Sequence, residues 1–558
     1  MTIQYSRRLR GIAAPVLAIS LLVAGCGGGD DDVRSGSSDV GQPSEINPRD
    51  PADLREGGNL RLALTSFPAT FNPLHVDSDG DVSTVVGWTL PSTVTADEAG
   101  VVSTDPDFYS DIRLVNTNPQ QIEYTINPKA VWSDGSPITW EDLRSQANAL
   151  SGRDTGFLVS HTQGYSRIEK VERGADDRQA IVTFGQHYAE WRGLFSPLMP
   201  KESTATPQAL NDVDRSRPAK SAGPFMVTAI DQGQKRITLQ RNPKWWGNAP
   251  KLDTVTFSVL DSSARLTALQ NNEIDAVDIY GAEEAKSAGS SPGIVVRRAP
   301  DATNSHFTFN GAPGSILEDP RLRVAISKAI DRKTITTALQ NGVVIDPKPV
   351  NNHIYLEGQK GYQDNSAVVS YDPAAAARML DDLGWRLNGE VREKDGRQLV
   401  IRDVMVQQDR QVQMAQIAQQ NLAQIGVKLV IETHSGTDLF TKVIDPGNFD
   451  IAQFSWGRSL FPLGALEQIY AYNPANNLSN KGRVGSPELN ALIDQVLSEL
   501  DPEKAIEMAN QADRMIFELG HSLPVFQGAG NVAVRDNVAN YGAFGLSSAD
   551  YTKVGFVK

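Results

Sequence analysis

The sequence predicts a mixed α/β fold with more than one hydrophobic core, and three observations carry that expectation. Period-two stretches such as NLRLAL (59–64) and QIEYTIN (121–127) put apolar side chains on one face of an extended segment, the mark of a half-buried strand. Between such stretches lie helical segments that open on Asp-Pro and stop at glycine. The body of the chain, roughly 500 residues, also exceeds the ~250–300 residues that one core organises.

The amino-terminal segment stands apart from this body. Arg7, Arg8 and Arg10 precede fifteen uncharged residues, Gly11 to Gly25. That run is shorter than the ~20 apolar residues of a spanning helix, and it has the length and flanks of a secretory signal peptide. Val23-Ala24-Gly25-Cys26 resembles a bacterial lipobox, in which a diacylglycerol is joined to the cysteine thiol. Cys26 is the only cysteine in 558 residues, so no second thiol is present for a disulfide or a redox pair. Residues 27–56 hold Gly27-Gly28-Gly29, eight acids and few large apolar side chains, too little to offset the entropy of ordering. Residues 1–25 are therefore expected to be a lipoprotein signal peptide, Cys26 a lipid anchor and 26–56 a flexible acidic tether.

Along the body, Leu60, Leu62 and Leu64 mark a first strand and Ile122, Tyr124 and Ile126 another, with RITLQRNP (236–243) and VTFSVLD (255–261) of similar pattern. Asp319-Pro320 opens a helix with Leu322, Ile326, Ala329 and Ile330 on one face, since Asp accepts the first free amide and Pro supplies the helical φ. Asp372-Pro373 and Asp501-Pro502 open two more, stopped by Gly384 and Gly520. A further helix from about Gln411 ends at Gly426 and leads into the strand VKLVIE (427–432). No internal repeat interrupts this alternation.

The formal charge of −14 argues against a nucleic-acid partner, because phosphates are neutralised by clustered Lys and Arg. Catalytic and metal motifs fail on spacing or context. The seven histidines, at 75, 161, 187, 306, 353, 434 and 521, never pair at metal-ligand spacing. GSSPG (289–293) matches the G-x-S-x-G nucleophile pattern, but a helix-like segment precedes it and a strand-like one follows, the reverse of a nucleophile elbow. DSDGD (77–81) begins like a calcium loop, yet Gly80 is its fourth residue and Trp88 its twelfth, where an EF-hand needs Gly sixth and Glu twelfth. It reads either as a solvated acidic turn or as a segment facing a ligand. No catalytic residue, metal site or cofactor is expected.

Several stretches, in order, are similar to the family 5 solute-binding proteins, the extracytoplasmic receptors of oligopeptide, dipeptide and nickel ABC importers. They are VWSDGSPITWEDL (131–143), SAGPFMV (221–227), LQRNPKWWG (239–247), ALQNNEIDAV (268–277), DPRLRVAISKAIDRKTI (319–335), YDPAAAARMLDDLGW (371–385) and GNFDIAQFSWG (447–457). Each also has a local reading. Asp134-Gly135 suits a turn, Thr139 suits an N-cap with Asp142 three residues on, and Trp132, Trp140, Trp245 and Trp246 suit core positions.

The resemblance implies a two-lobed periplasmic-binding-protein clamshell, type II-like and of cluster C, with an extra subdomain inserted in lobe one. By analogy, lobe one takes 57–303 (insertion about 86–185) and returns at 523–558, lobe two takes 304–522, and the hinge lies near Phe309-Asn310 and Leu523-Pro524. In peptide-binding members a Trp-centred loop lines the cleft, and an aspartate after it holds the ligand's α-amine. Here the loop is Trp456-Gly457-Arg458-Ser459-Leu460-Phe461-Pro462, with Gln453 before it as a further ligand-binding candidate, and Ser459 falls near the place of the missing acid. A buried ammonium needs a charged partner. The resemblance offers Asp77, Ser78 and Asp79, or Asp278 with Tyr280, as substitutes, with Asn304 and His306 near the hinge; Arg458 would suit a ligand carboxylate.

The implied function is capture of oligopeptides by a lipid-anchored, monomeric receptor on the extracytoplasmic face of the bacterial cell membrane. Its partners would be an importer's permease subunits and ATPase complex. A sugar or metal chelate as ligand, and a sensor or interaction lipoprotein, are alternatives; an enzyme is disfavoured. Cys26→Ser is expected to release the protein from the membrane, because a hydroxyl cannot accept the thioether-linked lipid. Cell fractionation checks this, and equal membrane retention of the variant would overturn the anchor.

Overall fold

A computed structural model describes residues 43–457, 459–477 and 479–558. The expected signal peptide, Cys26, the first part of the tether and Arg458 lie outside the described residues.

The first period-two stretch is the strand Asn59–Leu64, with Leu60, Leu62 and Leu64 buried. It is the middle strand of a seven-stranded sheet, parallel to Thr254–Val259 on one side and to Ala276–Ile279 on the other. Arg236–Arg241 and Phe225–Asp231 extend the sheet past the first neighbour, Asn531–Arg535 and Ile294–Arg297 past the second. A five-stranded sheet has the order Lys428–His434, Val400–Val406, Ile451–Gly457, Pro300–Phe309, Ser522–Ala529. The first three of these run parallel, Pro300–Phe309 is antiparallel to its neighbour among them, and Ser522–Ala529 is antiparallel to Pro300–Phe309. A third, antiparallel sheet holds Tyr109–Thr117, Gln120–Ile126, Gln179–Phe184 and Ile168–Arg173 in that order.

The chain passes between the two larger sheets twice. Ile294–Arg297 belongs to the seven-stranded sheet and Pro300–Phe309 to the five-stranded one; Ser522–Ala529 and Asn531–Arg535 make the return. The two passages touch, since the Gly530 N–H donates to the Ala299 carbonyl at 2.9 Å.

The Asp-Pro starts act as the sequence pattern requires. Asp319 accepts the Arg321 N–H, Asp372 the Ala375 N–H, and Asp501 those of Glu503 and Lys504. The helix expected from about Gln411 begins earlier, as Asp409–Ala423, and its N-cap Gln408 makes no side-chain cap bond. The acidic segment 77–81 is not a free turn. Asp79 accepts the Val82 N–H and caps the helix Gly80–Val86.

One apolar cluster joins the antiparallel sheet to the helices Pro487–Ser498 and Pro502–Glu518, bringing Ile122, Tyr124 and Phe184 together with Leu489, Ile493 and Ile516. Trp132 is buried in it, and Trp140, Trp245 and Trp246 pack on its edge, the core role read from the sequence. Polar contacts pin the same junction. The Ala189 N–H donates to the Leu497 carbonyl at 2.7 Å, and Arg167 donates to Asp494 at 2.8 Å.

Buried Glu190 ties this junction to the segment after Trp456. Its two oxygens accept the N–H groups of Leu463 at 2.8 Å and Gly464 at 2.7 Å. Burial pushes its carboxyl up to about 7 against the downward pull of those two donors. A Cβ at Gly464 would stand 1.7 Å from Gln163 Nε2, so a larger residue there requires the Gln163 side chain to move. Glu190→Ala leaves two buried amides without an acceptor, each costing about 1–3 kcal/mol. We expect a loss of about 2–4 kcal/mol at neutral pH, with a smaller loss for Glu190→Gln, whose amide oxygen still accepts; denaturant unfolding checks both.

Candidate functional site

The parallel strands Val400–Val406 and Ile451–Gly457 end side by side, and the helix Asp409–Ala423 starts just after the first of them. Open α/β sheets place ligands in the crevice outside such strand ends. Here the crevice holds a cavity of about 300 Å³. The helix contributes Arg410, the five-stranded sheet Gln453 and Ser455, the crossing strands Asp301 and Thr303, and the seven-stranded sheet Tyr280.

Tyr280 follows the strand Ala276–Ile279 and leaves 59 % of its surface exposed. The surrounding protein mass nevertheless pushes its phenol up to about 12, assisted by Asp278 and Asp301. Asp278 is likewise open to solvent, and its carboxyl is raised first by the same surroundings and then by Asp301. Both groups thus sit beside the recess, with Asp301 near enough to act on each. Two carboxylates in one recess suit a cation.

On the opposite wall Gln453, 1 % exposed, donates from Nε2 to Asp403 Oδ2 at 2.6 Å. Asp403 is fully buried, and burial pushes its pKa up to about 8, so it is mostly protonated at neutral pH. Gln453 Oε1 and Asp403 Oδ1 have no hydrogen-bond partner among the described residues. Arg410 lies over the Phe526 ring, 4.5 Å from its centroid.

The expected site residues divide into three places. Tyr280 and Gln453 line the cavity, with Asp278 beside it. Asn304, His306 and Trp456 share the other face of their sheet. Register pairs Asn304 with Trp456, His306 with Phe454 and Ser305 with Ser455, and side chains alternate along each strand. On the cavity face Ser305 and Ser455 join hydroxyls at 2.8 Å; on the other, the His306 and Trp456 rings stack with centroids 6.3 Å apart.

The loop 77–79 lies in neither place. Asp77 accepts from Arg215 at 2.6 Å, which holds its carboxyl below the usual range; the Ser78 N–H donates to the His75 carbonyl; Asp79 is the helix cap, also accepting from Ser66 Oγ at 3.0 Å. Gly457 ends its strand, and Ser459 closes a turn by donating to the Phe461 carbonyl at 2.9 Å. Arg410, Asp301 and Ser455 are cavity residues that sequence reasoning missed, as is Asp403, which lies buried behind Gln453. Asp403 had a signal: it is the one acid in the apolar strand VIRDVMV (400–406).

Residues 106–477 match the family model described as bacterial extracellular solute-binding proteins, family 5 Middle. This chain belongs to that family. Its members are described as solute-binding proteins. The oligopeptide-binding protein OppA of Mycobacterium tuberculosis is 49 % identical over 551 residues, covering 97 % of this chain and 93 % of the relative. The oligopeptide-binding protein AppA of Bacillus subtilis is 22 % identical over 481 residues, 80 % of each. Among solved structures, the periplasmic EDTA-binding protein EppA superposes with a TM-score of 0.84 at 24 % identity, over 92 % of this chain and 98 % of that one. AppA of Bacillus subtilis in complex with a nonapeptide gives 0.76 at 19 %, over 90 % and 100 %. The fold is thus the two-lobed α/β clamshell of family 5 solute-binding proteins. Among the described residues, no helix is long and apolar enough to cross a membrane.

Asp403 gives the site a stability signature. Its carboxyl rises from an ordinary 3.8 to about 8 on folding, so its contribution is complete below about 4 and is lost as pH rises through about 8. Wild-type melting temperature is expected to fall across that window, and Asp403→Asn, which cannot ionise, to flatten the fall. Thermal unfolding between about pH 5 and 9 checks it.

Proposed function

We propose that this chain is the substrate-binding protein of an ABC importer and that it captures oligopeptides for delivery to a permease. The observation that carries the reading is the 49 % identity, across 97 % of the chain, to an oligopeptide-binding protein. A polar recess between elements of two sheets supports it, because extended peptides are gripped by main-chain hydrogen bonds while roomy, wet pockets tolerate varied side chains.

We assign the seven-stranded sheet to lobe one, the antiparallel sheet to its insertion and the five-stranded sheet to lobe two. The hinge then lies at the paired passages through Ala299 and Gly530, in place of Phe309-Asn310 and Leu523-Pro524, because Phe309, Leu523 and Pro524 belong to strands of the five-stranded sheet. Closure of the lobes over a peptide would form the surface that a permease reads. Anchoring through Cys26 to the extracytoplasmic face, and action as a monomer, complete the proposal. Within the site, Asp278 with Asp301 is our choice for the peptide's amine, in place of the acid that the Trp456 loop lacks.

Peptides co-purifying with the protein, identified by mass spectrometry, test the ligand class; a sugar or metal chelate in their place would overturn it. Bound peptide is expected to lower the radius of gyration in X-ray scattering and to raise the melting temperature. Asp278→Asn should weaken a free-amine peptide by about 1.5–3 kcal/mol and leave its N-acetyl form unchanged by calorimetry.

A further inference from the structure

We propose that Arg298 and Asn531 are positioning residues for ligand capture. From the two chain passages they hold one main-chain carbonyl of the opposite half, that of Val343, and so favour the angle at which both walls face one cavity. The proposal rests on the lobes and hinge assigned above, and goes beyond them in naming the contact that holds the hinge in this setting.

Val343 lies in the turn that follows the helix Arg332–Gln340. The helix belongs to the half built on the five-stranded sheet: Thr336 donates to the Val525 carbonyl at 3.2 Å, and Gln340 Nε2 to the Gln527 carbonyl at 2.6 Å. The N–H groups of Val343 and Val344 both return to the Gln340 carbonyl, at 2.9 and 3.0 Å, so the turn is tied to its helix. Its Val343 carbonyl is not. It accepts from Asn531 Nδ2 at 2.8 Å and from Arg298 Nη1 at 3.1 Å. Asn531 opens the strand that follows Gly530, and Arg298 stands between the strand Ile294–Arg297 and Ala299, so each passage supplies one donor. Both lone pairs of the carbonyl are thereby used. Val343 and Asn531 are each 2 % exposed, and a buried polar group left without its partner is costly.

Apolar packing crosses at the same point. Val343 and Val344 cluster with Ala529 and with Ala282, which starts the helix Ala282–Gly289 two residues after Tyr280 of the cavity wall. Gly342 has φ +78°, and a Cβ there would stand 3.3 Å from the Ala282 Cβ, so a side chain at 342 would be strained and would press on Ala282. Arg298 is itself held from behind. Its N–H donates to Glu45 Oε2 at 2.7 Å, and Glu45 exchanges both main-chain hydrogen bonds with Ala543, at 2.8 and 3.1 Å. The far end of the expected tether thus supports the residue that reaches across. A contact made while the walls share one cavity, and stretched when they part, shifts the population toward the gripping state.

The test uses the full chain and a random pool of synthetic tri- to nonapeptides, each variant being measured well below its melting temperature. Arg298→Met, which keeps the bulk and removes the donors, should retain about five- to tenfold less peptide than wild type. Its ligand-free radius of gyration in X-ray scattering should be larger, with Arg298→Lys, which still donates, between the two. Gly342→Ala disturbs the same turn without touching Arg298 and should act in the same direction. A lower melting temperature with unchanged retention in Arg298→Met and Gly342→Ala means that the contact only supports the fold, and overturns the proposal. A wild type that retains no peptide, or does not contract on binding it, overturns the oligopeptide or the hinge reading instead. Hydrogen exchange then judges the contact by itself: Arg298→Met, and Glu45→Ala through Arg298, should each speed exchange of the Val343 and Val344 amides, with Glu45→Gln, which keeps an acceptor, close to wild type. Unchanged exchange in the first two overturns the proposal whatever the peptides do.

Discussion

The strands Pro300–Phe309 and Ser522–Ala529 run antiparallel as neighbours, and the chain leaves each of them for the seven-stranded sheet within two or three residues. Everything at the cavity depends on this double passage. It puts Asp301 and Thr303 between the two sheets, and through Ile451–Gly457 it sets the positions of Gln453 and Ser455. A single passage would behave as a swivel. Two paired passages, joined by the Gly530 to Ala299 hydrogen bond, tie the sheets along one line.

The polarity of the cavity follows from the topology around that line. The seven-stranded sheet delivers Asp278 and Tyr280 at the end of a short strand. The five-stranded sheet delivers the start of a helix, and with it Arg410, at the end of a parallel strand. Strand ends that open into a helix carry free amides and a positive field; the other wall carries acids, where desolvation first and then Asp301 raise the Asp278 carboxyl. The charge difference across the gap is thus built from secondary structure as well as from side-chain choice.

Much of the fold was legible in the sequence because its signals are local. Leu60, Leu62 and Leu64 announce a strand by period alone, and Asp319-Pro320 announces a helix start by the chemistry of two adjacent residues. The site was legible in part. Tyr280 and Gln453 do line the cavity. The segment 77–79 was ambiguous because an acid beside a turn looks the same whether it meets solvent, caps a helix or pairs with Arg215, 138 residues away. Arg410 was invisible for a different reason. Arginine at the start of a helix is ordinary, and only the absence of an acceptor in three dimensions sets it apart.

The Glu190 clasp grips the segment after Trp456 through the main-chain amides of Leu463 and Gly464, not through side chains. Between Trp456 and Leu463, Ser459 holds its own turn by bonding both the N–H and the carbonyl of Phe461. A segment held by its main chain in this way keeps both contacts to Glu190 whatever side chain stands at 463.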